Sequence, residues 1–313
     1  GYRTAAYTTA IGYGALSRGT GTRNVAVGTD TLRGNPYSQG QETGNSTGFN
    51  NTAIGYNAGL SYNSASYNTL VGASAGYRID NGEYTVAIGN NAGYNATGSN
   101  NTFVGADAGK GGTTSAPYSS GQYNVAVGTN ALNAFTTGDY NVAIGVDALL
   151  THTTGDQNIA IGLGAMRDTD AGSNSLSSTE NIFIGFYTGG GTWANTASNY
   201  NIGMGRYVMD AAMDGAEHNI GIGQYALTAL TEGDKNIALG PTALGNVSTG
   251  YRNVGIGDRA GVGVSTGHSG VYVGYLAGYG GNLSGNVAIG AESLFTANGG
   301  SNVAVGYQAA RYT

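Results

Sequence analysis

Three apolar residues in a row, closed by Asn on one side and Gly on the other, recur along this chain. "NVAVG" begins at Asn24, Asn124 and Asn302, "NVAIG" at Asn141 and Asn286, and "NIAIG" at Asn158. Anchored on the closing Gly, from Gly12 to Gly306, the pattern has seventeen copies, spaced 16–17 residues apart with some longer steps. Asn stands four residues before the Gly in 14 copies, the exceptions being Thr8, Thr85 and Gly270. The third residue before it is always Val, Ile or Thr, and the residue just before it is always Val, Ile, Leu or Met. The column between them is mostly Ala or Gly, with Leu70, Phe103, Phe183 and Tyr272 as intruders. Ala stands three residues after the Gly in 13 copies; the next position is Leu, Met or Ala in ten and Gly in seven.

A short β-branched and aliphatic run bounded by Asn and Gly predicts a strand rather than a helix. The "AL" or "AG" columns leave room for a second short strand. The "TTGDYN", "TTGDQN" and "TEGDKN" segments between copies predict turns, because Gly accepts positive φ and Asp or Asn bonds locally. A 17-residue unit of this kind cannot bury a core alone, but a stack of them can. The expected fold is all-β, a parallel β-solenoid (β-roll) of about 17 short coils, each strand pairing with its copy about 4.8 Å away. Identical columns then become ladders, with Asn124, Asn141 and Asn158 as a side-chain amide ladder and Gly128, Gly145 and Gly162 beside it. Residues 1–313 read as a single repeat array with insertions near 33–50, 110–123, 167–180 and 189–200.

A strand with one wet face alternates; this one is apolar at three consecutive positions, so both faces are expected to be covered. One face can point into the coil. The other calls for a second copy of the chain, and the small Ala/Gly column suits close approach at a crowded axis. Phe103, Phe183 and Tyr272 are then expected to meet their symmetry mates, unless the faces are reversed.

Composition adds to this picture. The chain has 58 glycines in 313 residues and only 10% charged residues, against roughly 7% and 25% in ordinary globules. A chain with so little charge must solvate itself with Asn, Thr, Ser, Gly and Tyr, or hide much of its surface in an assembly. A net charge of −6 gives no basic stripe and argues against nucleic-acid binding. With no cysteine there is neither disulfide framework nor thiolate chemistry. No apolar run reaches the ~18 residues of a membrane span, so no membrane insertion is expected. The array begins near Thr8 and ends at Ala310 without atypical polar caps, as expected of a segment of a longer fibre.

The motif Asn-[Val/Thr/Ile]-Ala-[Ile/Val]-Gly-x-x-Ala-[Leu/Gly], joined by Thr-Gly-x-x-Asn, resembles the repetitive β-roll shaft of phage tail-fibre proteins, fibres that often end in an endosialidase-type self-cleaving chaperone domain. It is also similar to the head repeats of trimeric autotransporter adhesins. The resemblance runs from Thr8 to Ala310. It implies left-handed β-rolls in a parallel homotrimer, on a virion tail fibre or otherwise extracellular at a cell surface, serving attachment to a host glycan or protein. Adhesin heads use shorter, more uniform coils and continue into a stalk and a membrane barrel, so the tail-fibre reading fits better. A secreted filament subunit and a polysaccharide-degrading tail spike are the alternatives.

Catalytic chemistry finds little purchase. "GADAGKGGT" at Gly105–Thr113 has Val104 and Gly111 where a phosphate loop needs Gly and Ser or Thr. His152, His218 and His268 lack metal-ligand spacing and read as surface turn residues. Carboxylate pairs for glycoside cleavage would have to come from Asp168 with Asp170 or Asp210 with Asp214, all in turns. We therefore expect no enzyme, no cofactor and no metal. The insertions read as neutral decoration or, alternatively, as lateral bumps that touch a receptor, the contacts then falling to Trp193, Tyr187, Pro36 and Pro117. The 23 tyrosines read chiefly as packing between coils and chains.

Overall fold

The computed structural model describes residues 7–34, 46–112, 118–169, 177–296 and 298–312. The chain divides into two compact units, Gly1–Asp156 and Gln157–Thr313. In the first, the strands are β1 (Thr9–Ile11), β2 (Val25–Val27), β3 (Thr52–Ile54), β4 (Thr69–Val71), β5 (Val86–Ile88), β6 (Thr102–Val104), β7 (Val125–Val127) and β8 (Val142–Ile144). In the second they are β9 (Ile159–Ile161), β10 (Ile182–Ile184), β11 (Ile202–Met204), β12 (Ile220–Ile222), β13 (Ile237–Leu239), β14 (Val254–Ile256), β15 (Val271–Val273), β16 (Val287–Ile289) and β17 (Val303–Val305). Within each unit every strand pairs in parallel with the next in sequence, column on column: Ala126 lies beside Ala143, and Gly203 beside Gly221. Each unit is a parallel β-solenoid, and no α-helix occurs among the described residues.

The "AL" and "AG" columns form no second strand. They are turns in which left-handed residues recur, such as Asn130 at φ +57° and Leu132 at φ +50°. Inter-coil hydrogen bonding nevertheless runs through them. Asn130 N–H donates to Ala106 O at 3.0 Å on one side, and Leu132 N–H to Ala148 O at 2.9 Å on the other. A left-handed Leu costs on the order of 1–2 kcal/mol. Fully burying its side chain in the coil returns about 1.5–3 kcal/mol, so the conformation is affordable where the side chain is enclosed, as for Leu132 and Leu149.

The closing Gly has a steric cause. Gly128 sits at φ +133°, and a Cβ there would lie 2.5 Å from the Gly145 carbonyl oxygen of the next coil. Stacked coils approach too closely at this corner for any side chain.

The strand faces are reversed from the sequence expectation. From β2 to β17 the middle residue is buried, while its two neighbours are half-exposed or exposed. The Ala/Gly column therefore faces the interior of its own coil, opposite Leu32, Leu132 or Leu149, and not a partner chain. Phe103, Phe183 and Tyr272 also point inward and are enclosed. The reason is coil width: a 17-residue coil has room for about one large apolar side chain between its walls.

Glycine placement shows this. Where the strand's middle residue is large, the residue four after the Gly is itself Gly: Leu70 with Gly76, Phe103 with Gly109, Phe183 with Gly189, Tyr272 with Gly278. A Cβ on Gly109 would overlap the Phe103 ring, and one on Gly278 the Tyr272 ring. Where the middle residue is Ala, as at Ala126, Ala143 and Ala160, Leu132, Leu149 and Met166 fill the space.

Candidate functional surfaces

Asn124, Asn141 and Asn158 are fully buried, and their hydrogen bonds run along the stack. Asn124 N–H donates to Asn101 Oδ1 at 2.8 Å, and Asn141 N–H to Asn124 Oδ1 at 2.9 Å. Asn158 Oδ1 accepts both the backbone and the side-chain N–H of Asn181 at 3.1 Å. Each amide also holds the following turn: Asn124 Nδ2 donates to Gly138 O at 2.9 Å, Asn141 Nδ2 to Gly155 O at 2.8 Å, and Asn158 Nδ2 to Ser178 O at 2.9 Å. A Cβ on Gly162 would collide with the Gly185 carbonyl, as for Gly128. Gly145 has the same left-handed backbone, φ +136°. These residues join coil to coil rather than contact a ligand.

The exceptions to the Asn column are informative. Thr85 keeps the rung, its N–H donating to Asn68 Oδ1 at 2.8 Å. At Gly270 the Asn is missing because the Tyr272 ring occupies its space: a Cβ there would lie 2.5 Å from the Tyr272 hydroxyl. That hydroxyl donates to Leu283 O at 3.3 Å, and burial pushes its pKa up to about 12. Asn124→Ala would leave the buried Asn141 N–H and Gly138 O without these partners. The expected loss is about 1–3 kcal/mol per stranded group, read as a lower urea midpoint with faster hydrogen exchange at Asn141.

Trp193, the candidate receptor contact of its insertion, is fully buried. Its Nε1–H donates to Gly189 O at 3.1 Å, and its ring meets Phe183 edge-on at 5.9 Å. The surrounding segment forms no lateral bump at this point. Trp193 N–H donates to Asp168 O and Ala194 N–H to Met213 O, so the backbone joins the inter-coil ladder. The insertion enlarges the coil, and the indole fills the enlarged interior. Pro36 and Pro117 lie outside the described residues.

Tyr187 is half-buried and belongs to an aromatic patch on the second unit. Tyr187, Tyr207 and Tyr225 occupy one column of three successive coils, with ring centroids 6.1 and 5.6 Å apart. Phe186 stands at 88° to the Tyr207 ring, and the Arg206 guanidinium lies 5.3 Å from Phe186 and 5.0 Å from Tyr207. Three tyrosines at equivalent places in consecutive repeats were a visible signal. Sequence reasoning took Tyr187 alone and missed Phe186 and Arg206.

Other rings form coplanar stairs. Tyr67 stacks on Tyr84 at 4.8 Å and 6°, Tyr123 on Tyr140 at 4.9 Å and 2°. Their faces cover one another, which is the packing role expected for most tyrosines. His218 stacks on Tyr200 and His268 on Tyr251 in the same way. His152 is not a surface residue: it is fully buried, and its Nε2 bonds the Gly155 carbonyl at 2.9 Å. A carbonyl only accepts, so that nitrogen carries the proton and closes the turn.

The carboxylates do structural work. Asp168 pairs with Arg167 at 3.2 Å, and Asp214 Oδ1 accepts the Thr196 N–H at 2.7 Å. Asp170 lies outside the described residues. Asp210 is half-buried, and desolvation raises its pKa despite the Thr228 hydroxyl donating to it at 2.6 Å. An acid whose folded pKa is raised carries no penalty below its ordinary value and a growing one as pH rises past it. Asp210→Asn keeps an acceptor for Thr228 and removes the charge. The variant is expected to melt higher than the parent at pH 7 and together with it near about pH 3, below the usual Asp range. Among the described residues no cluster of three or more His, Asp or Glu is placed to hold a metal ion, and no helix is long and apolar enough to cross a membrane.

Comparison with protein-family models found no match, and comparison with curated proteins found none either.

Proposed function

We propose that this chain is a non-enzymatic structural fibre segment with an attachment role, assembled as a parallel homotrimer, and that it belongs to a phage tail fibre. The observation that carries the assembly is the outer strand face. In all seventeen strands the outward positions are Val, Ile, Thr, Leu or Met, and no strand contains a charged residue. Ile54, Ile88 and Ile144 remain about 40% exposed in the first unit, as do Met204, Ile222, Ile256 and Ile289 in the second. In the first unit this stripe spans seven inter-strand steps of about 4.8 Å. A strip of exposed aliphatic side chains repeated coil after coil is the kind of apolar surface that marks an interaction site.

The stripe's pitch favours copies of the same chain as its partner. Only a surface with the same rise per coil can keep side chain against groove at every step. The resemblance to tail-fibre shafts and adhesin heads supports three chains around a common axis, with the aliphatic columns rather than the Ala/Gly column turned inward. Light scattering of the isolated chain is expected to give three times the chain mass. A monomer at micromolar concentration would remove the reading. Electron microscopy of the source particle separates a virion fibre from a bacterial adhesin or a free filament.

A further inference from the structure

We infer that the patch formed by Phe186, Tyr187, Arg206, Tyr207 and Tyr225 on the second unit is a binding site for an acidic saccharide, with a sugar ring laid on the aromatic side chains and its carboxylate held by Arg206. The inference rests on the attachment role proposed above and names its ligand class.

The first argument is the state of the arginine. Three described arginines lie against two rings each: Arg78, Arg206 and Arg311. Arg78 donates to the Tyr118 hydroxyl and Arg311 pairs with Glu292 at 2.8 Å. Arg206 is exposed, and among the described residues it has no ion pair or hydrogen-bonded side-chain acceptor. A guanidinium resting on aromatic faces is held in orientation while its planar fork stays free to take a carboxylate with two hydrogen bonds.

The second argument is the geometry of the rings. In the coplanar stairs each face is covered by its neighbour. Here Tyr207 and Tyr225 stack at 9°, but Phe186 stands at 61° to Tyr187 and 88° to Tyr207, and Tyr187 at 32° to Tyr207, so neither Phe186 nor Tyr187 is covered by one of these rings lying flat on it. Phe186 and Tyr225 are 40% and 38% exposed. Apolar faces bordered by tyrosine hydroxyls suit a pyranose, which has C–H groups on its face and hydroxyls around its rim.

An extended acidic peptide suits the patch less well. Strand addition needs unpaired backbone amides. Here Tyr187, Tyr207 and Tyr225 already donate their N–H groups to Leu163, Phe186 and Arg206 carbonyls. The chain's net charge of −6 gives no long-range attraction for an anion, so recognition must come from contact with Arg206.

The test is titration calorimetry of the full chain with hexagalacturonate, its fully methyl-esterified form and neutral maltohexaose, with light scattering on the same samples. Hexagalacturonate is expected to bind. Esterification or Arg206→Gln should weaken binding about tenfold or more, the loss of a charge-assisted pair. Phe186→Ser should weaken it without changing the assembled mass. No binding, equal binding of acid and ester, or unchanged binding by Arg206→Gln overturns the inference. A change of assembled mass in Arg206→Gln also overturns it, because the patch is then a contact between chains. A monomeric chain that binds with the expected selectivity would sink the trimeric fibre and leave the site standing.

Discussion

Replacing Phe103 by Ala is expected to destabilise the first unit by about 3–5 kcal/mol, and adding Gly109→Leu is expected to restore most of that loss. Phe103 is fully buried in a coil interior, 5.6 Å ring to ring from Phe135. Truncation leaves a void that the hydrogen-bonded coils cannot collapse to fill. Gly109 faces the same space from the opposite wall, with φ +52°. Leu132 stands at the equivalent place of the next coil with φ +50°, opposite Ala126. The double variant therefore rewrites one coil in its neighbour's solution. Gly109→Leu alone would force a side chain into the Phe103 ring and overpack the coil, a cost of about 1–3 kcal/mol. Urea unfolding and hydrogen exchange at Val104 would measure all four corners of the cycle. If the two losses simply add, the pairing of bulky strand residues with Gly is not volumetric, and the coil interior has been misdescribed.

That pairing was written in the sequence. The four strands with a large middle residue, at Leu70, Phe103, Phe183 and Tyr272, are each followed six residues later by Gly. Two columns that trade volume must share one space, which places the middle column inside the coil. Strand position and register were equally legible, because Asn and Gly frame each run and recur at nearly constant spacing. The direction of the faces was not legible from the run itself. Val-Ala-Ile is apolar at all three places, and without alternation no face is marked as wet.

Individual residues were harder to place. Trp193 sits in a segment that breaks the repeat, so no column predicted whether it would point in or out; the enlarged coil takes it in. His152 is polar and lies in a turn, yet it is fully buried with its Nε2 on Gly155 O. The Arg206 patch depends on ring angles, which no sequence pattern carries, although the Tyr column that supports it was visible.

The reversed faces make opposite predictions for neighbouring residues. Ala143 is fully buried in the coil, whereas Ile144, next to it, is 38% exposed on the outer face. Ala143→Asp places a carboxylate in an interior with no arranged partner, at a cost of several kcal/mol, and is expected to unfold the surrounding coils. Ile144→Asp leaves that interior untouched. Its cost to the single chain is about 1 kcal/mol, within the spread of strand preferences, so the β-solenoid should persist. Its effect falls on the proposed assembly. Each chain loses only the burial of the part still exposed, 38% for Ile144, which is roughly 0.5–1 kcal/mol, but three carboxylates then meet near one axis. Ile144→Asp is therefore expected to give folded monomers with the parent circular dichroism spectrum, and Ala143→Asp a chain that has lost it. Asp139→Ala serves as the control in the adjoining turn. It removes an exposed acceptor of the Gln122 N–H at 2.6 Å, and should cost about 1 kcal/mol with no change of mass. If Ile144→Asp still gives trimers of full mass, the aliphatic columns do not form the contact between chains, and their exposure must serve another partner.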